Sequence, residues 1–150
     1  MSHSALLALH VLAVVIWVGG MFFAYFSLRP AAIQVLEAPL RLTLWVATFK
    51  RFFPWVWLSV VTILVTGFWM MSSFPKPPIH ITVMMGLGIL MMFIFGLVYF
   101  VYYRKLKIAV SNDDWPEGEK AINKIRNFVG INTVIGIITI TVATAGRSWF

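Results

Sequence analysis

Polar side chains interrupt this chain only at long intervals. Between them, apolar and small residues run on through roughly 5–28, 52–73, 79–103 and 127–147. Each run reaches the length of about 20 residues that a helix needs to cross the hydrocarbon core of a bilayer. Backbone in lipid has to be hydrogen-bonded within such helices, so the pattern predicts an all-α, integral membrane four-helix bundle. Four spans leave little chain over, and residues 1–150 read as a single four-span transmembrane domain. The first run lacks the basic leader of a secretory signal and exceeds its usual apolar length of about 7–15 residues, so it is expected to stay as a span.

The polar intervals add orientation. Arg29, Arg41, Lys50 and Arg51 fall between the first two runs, and Arg104, Lys105, Lys107, Lys120, Lys124 and Arg126 fall between the last two. These are ten of the twelve basic residues, against Lys76 and Arg147 on the opposite side. The positive-inside rule then makes both basic connections cytoplasmic. The expectation is a multi-pass protein of the bacterial inner (cytoplasmic) membrane with both termini on the outer, periplasmic side. A net charge of +7 could also suit nucleic acid, but no aromatic-interleaved recognition motif accompanies it. The partner it implies is the lipid bilayer, through anionic head groups, and no nucleic acid. Within "APLRLTLWVATFKRFFPWVW", residues 38–57, Leu40, Leu44 and Ala47 recur at helical spacing. They predict an interfacial helix ahead of the second span, with Pro54 at the junction. In the second connection Asp114 and Glu117 have capping-box spacing.

Composition limits the chemistry. At 61% hydrophobic and 11% charged, the chain cannot cover a water-soluble globule. There is no cysteine, which removes disulfides, thiolate metal sites, iron–sulfur ligation and covalent c-type haem. Asp and Glu are confined to the connections, so hydrolase and proton-relay constellations lack their carboxylates. What remains inside the spans is histidine. At about 1.5 Å per residue, His10 lies roughly 8 Å below the outer surface, and His80, one turn into the third span after Pro77 and Pro78, is shallow on the same side. Ionisable groups in a membrane are functional candidates by default, and two imidazoles from different helices can fill both axial positions of a haem iron. Small and aromatic residues share that depth: Gly86 and Gly88, Gly67 with Phe68 and Trp69, and Thr141 and Thr144, with Arg147 where a propionate could emerge. The rival ligand is copper(I), for which thioether sulfur is suited. Met84 lies one turn from His80, and Met70 and Met71 close the second span on the same side.

Four stretches, "ALHVLAVVIWVGGMFFAYFSLRPAA", "RFFPWVW", "IHITVMMGLGILMM" and "IRNFVGINTVIGIITITVATAGR", together resemble the CopD-type family of small bacterial membrane proteins along all four spans. The resemblance implies a link to copper resistance, the larger relatives being associated with copper uptake. The haem-associated, HemJ-like protoporphyrinogen oxidases are distantly similar, and His10 matches their first-span histidine. Where their pattern has a third-span lysine this chain has His80, a departure from the oxidase pattern that favours a bis-histidine site. The expected function is therefore a b-type haem protein ligated by His10 and His80 and lined by Trp69, Gly88, Thr144 and Arg147, acting in electron transfer or redox sensing. Two alternatives stay open: a copper-handling membrane protein using His10, His80 and Met84, and a haem-biosynthetic oxidase. The sequence names no redox partner, assigns His3 no role and leaves the oligomeric state open, a homo-oligomer included.

Overall fold

A computed structural model describes all 150 residues. Four helices account for nearly the whole chain: α1 (His3–Val35), α2 (Ala38–Met71), α3 (Ile79–Ser111) and α4 (Trp115–Trp149). All four are long and apolar enough to cross a membrane. Their starts carry recognisable chemistry. The Ser2 hydroxyl accepts the Ala5 N–H at 3.2 Å, and the Asp114 carboxylate accepts the Glu117 N–H at 3.4 Å. Pro39 and Pro116 occupy first-turn positions, where a missing N–H costs nothing. Only half of the expected capping box forms, because the Glu117 side chain pairs with Lys120 Nζ at 3.0 Å.

The helices, at 33 to 35 residues, outrun the apolar stretches of the sequence. The surplus lies at the end that carries the basic connections, called here the basic end; the opposite end holds both termini and is the terminal end. Continuous helix therefore replaces the expected interfacial segment, and α2 runs through Pro54 without a break. Proline leaves the carbonyl four residues earlier without its partner. Here both Pro54 and Lys50 are exposed, so the lost bond falls on the outside of the bundle. The inward face of this stretch also differs from the expected one. Leu42, Trp45, Phe49 and Phe53 are buried, whereas Leu40 is 64% exposed.

Packing begins with two hairpins, α1 against α2 and α3 against α4, which join most closely at the basic end. There Leu42, Leu106 and Ile125 are almost wholly closed off. Midway, a cluster of rings fills the bundle. Phe49 and Phe53 stack at 4.8 Å, and Phe95 meets Phe53 edge-on at 5.5 Å and Trp17 at 6.1 Å. A π-helical turn interrupts α1 at Ala24–Leu28 and α3 at Val98–Tyr103. Each ends where the sequence passes from apolar residues to arginine, at Arg29 and Arg104.

Candidate metal centre

His10 projects from α1 toward α2 near the terminal end. Its Nδ1 lies 2.9 Å from Thr66 Oγ1, and the same hydroxyl is 2.6 Å from the Thr62 carbonyl oxygen. A hydroxyl has one proton. The Thr62 carbonyl can only accept, and with the proton directed to it, the shorter of the two contacts, Thr66 Oγ1 is placed to accept the His10 Nδ1–H. In that arrangement the neutral ring carries its hydrogen on Nδ1, and the Nε2 lone pair is uncommitted. Metal-bound histidines are commonly oriented by such a bond from the second ring nitrogen. The approach of the ring depends on Gly67, where a Cβ would stand 3.3 Å from His10 Cε1. Thr66 is 3% exposed and His10 half-buried, so the hydroxyl is fixed while the ring keeps one open edge.

His80 occupies a parallel position in the other hairpin. It sits in the first turn of α3 against Gly146 of α4, where a Cβ would be 2.8 Å from His80 Cβ. The backbone of α4 therefore comes up to the root of the His80 side chain, which is half-buried. Each histidine is thus seated on a glycine of its hairpin partner. The bundle does not gather three His, Cys, Asp or Glu side chains into a metal-ligand cluster. Thioethers lie nearby in sequence and depth. Met70 and Met71 end α2 one turn beyond Thr66 and Gly67, and Met84 lies one turn below His80; all three are half-buried. Met21 and Met91, at 4% and 3% exposure, are core packing.

Of the remaining expected lining residues, Trp69, Thr144 and Arg147 are exposed and Gly88 is half-buried. Trp69 is 61% exposed. Thr144 is exposed and its hydroxyl donates to the Ile140 carbonyl at 2.8 Å, while Arg147 is exposed and has no carboxylate partner. A Cβ added at Gly86 or Gly88 would meet nothing within 4 Å, so neither glycine marks a close helix approach. Two cavities, of about 180 and 20 Å³, are lined by neither histidine. Pockets for organic ligands of ordinary size measure about 300–1,000 Å³, and a tetrapyrrole finds no such chamber in these two.

One polar residue in the interior escaped sequence reasoning. Asn132 of α4 is 3% exposed; its amide nitrogen donates to the Met91 carbonyl at 3.2 Å, and its Oδ1 has no partner. It lines the 20 Å³ cavity among aromatic rings that include Trp17, Phe53 and Phe95. That volume suffices for about one water molecule. An amide inside the apolar run "FVGINTVIG" was the available signal.

The donor set at the terminal end consists of imidazole and thioether without thiolate or carboxylate, a combination suited to a soft monovalent ion such as copper(I). No curated protein and no solved structure matches the chain. A family model described as copper resistance protein D matches residues 46–145, from within α2 to near the end of α4. The match takes in His80 and Met84 and leaves α1, with His10, and Gly146 outside it. Covering two thirds of the 150 residues, it establishes that the chain belongs to the copper resistance protein D (CopD) family.

Proposed function

We propose that this protein handles copper(I) as cargo at the terminal end of its bundle, with His10 Nε2 as the primary ligand. Family membership supports copper, and the Thr66 relay that leaves Nε2 free is the observation that supports His10. His80 and Met84 are the ligands proposed on α3, with Met70 and Met71 offering soft donors as the ion enters or leaves. The distribution of ten basic residues over two connections supports an inner-membrane protein with this end facing the periplasm. Below the histidines the bundle is filled by Trp17, Phe53 and Phe95. Such a plug suits capture and hand-over at one face better than flow through an open pore.

A b-type haem held by His10 and His80, serving electron transfer, competes for the same atoms. Copper is preferred because the family carries that link, and because imidazole and thioether donors suit that ion. Parallel titration of the purified protein with copper(I) and with haem separates the two. Copper(I) should bind stoichiometrically, and Met84→Leu, which keeps volume and apolarity, should weaken it. Saturable haem uptake with a low-spin spectrum, unaffected by Met84→Leu and abolished by His80→Ala, would overturn the copper reading.

A further inference from the structure

A cavity lies away from the histidines, at the basic end, where α1, α2 and α4 converge. It measures about 180 Å³, with Tyr25, Trp45 and Phe49 in its wall and three arginines, Arg29, Arg41 and Arg126, lining it as well. Only one of the three guanidinium groups has an acidic partner, the Arg41–Glu119 ion pair. Arg126 donates to the neighbouring Asn127 amide oxygen at 3.3 Å, and Arg29 has no carboxylate partner. Three cations and one carboxylate leave two positive charges on a half-buried site.

We propose that this cavity binds the phosphate head group of an anionic phospholipid, Arg29 and Arg126 taking the phosphate oxygens. A guanidinium presents a planar fork that fits phosphate in bidentate fashion, and withdrawing a cation from water is costly without a compensating anion. Phosphate alone would account for the arginines. The aromatic wall and Ile33, which lines the cavity and is 50% exposed, add an apolar side along which an acyl chain can leave. The location agrees, since Arg29 and Arg126 border the first and last apolar runs, at the level where head groups meet hydrocarbon. Glu119 occupies Arg41 and so limits the site to two free forks. The proposal is independent of whether the opposite end binds copper.

Thermal unfolding of the purified full-length protein in phosphatidylcholine nanodiscs, with and without phosphatidylglycerol, tests it. Phosphatidylglycerol should raise Tm by roughly 2–4 °C. The double variant Arg29→Gln/Arg126→Gln should keep its Tm in phosphatidylcholine, because neither side chain makes an ion pair, and lose the rise. Glu119→Gln, which frees the third fork, should enlarge it. Should the double variant fail to fold, Arg29→Lys keeps the charge without the fork and should at least halve the rise. An equal rise in wild type and double variant, or no rise in wild type, would refute the site. Inorganic phosphate matching phosphatidylglycerol in its effect on Tm would reassign it to a soluble anion and overturn the lipid proposal.

Discussion

At the basic end Leu42, Leu106 and Ile125 are closed off, an ion pair joins α2 to α4, and a walled cavity remains. At the terminal end Phe68, Trp69 and Ile79 stay more than half exposed, and the inward contacts include those of Thr66, Gly146 and two histidines. The solvent explains the difference. Where helices outrun the bilayer, water drives their apolar faces together. Inside lipid that drive is absent, and small residues and side-chain hydrogen bonds decide which helices approach. An end held in this looser way can present imidazole and thioether to a visiting ion, whereas the packed end holds the fold.

The sharpest way to break this contrast is to remove one side chain from each end. Leu106→Ala should destabilise the protein by about 2–5 kcal/mol, the range for a fully buried leucine. Trp69→Ala, at a lipid-facing position, should fall within roughly 0.5 kcal/mol of wild type. Unfolding in detergent with increasing denaturant measures both, and equal losses would remove the distinction between the ends. A second change acts on function alone. Thr66→Val keeps the shape and deletes the acceptor of His10 Nδ1–H, so copper(I) affinity should fall about 10–100-fold, the usual effect of losing a histidine's orienting partner. An unchanged affinity would leave the Thr66 relay without a role. The smallest effect belongs to the turn between α3 and α4, where Asp113 is the one non-glycine residue at positive φ, 53°. Asp113→Gly removes the Cβ strain and adds chain entropy in the unfolded state. Stability should therefore move by less than about 1 kcal/mol, read in the same denaturant series.

Four spans and their order were legible because hydrophobic length and charge placement are local properties of the chain. The helix ends at the basic side were less so. Their helicity rests on contacts such as Leu42 and Leu106, which come from different hairpins, and Leu40 competes with Leu42 for the inward face in any reading by spacing. Thr66 could not be singled out, since a span threonine ordinarily donates to its own helix, as Thr62 and Thr139 also do. Only the register of α1 against α2 reveals that this one also meets His10 Nδ1. Asn132 does not stand out, because its neighbours in sequence are those of an ordinary packed span. Gly88 and Gly146 look alike in the sequence, yet one meets nothing and the other seats His80.

The proposed copper(I) site centres on the His10 Nε2 lone pair, and one measurement reaches it. Copper(I) affinity of wild type and His10→Ala can be compared by competition with a chromophoric copper(I) chelator, at equal membrane insertion of the two proteins. Loss of one imidazole ligand is predicted to weaken binding by tenfold or more while leaving the helical content unchanged. Equal copper(I) affinity in the two proteins would contradict the assignment of His10 as the primary ligand.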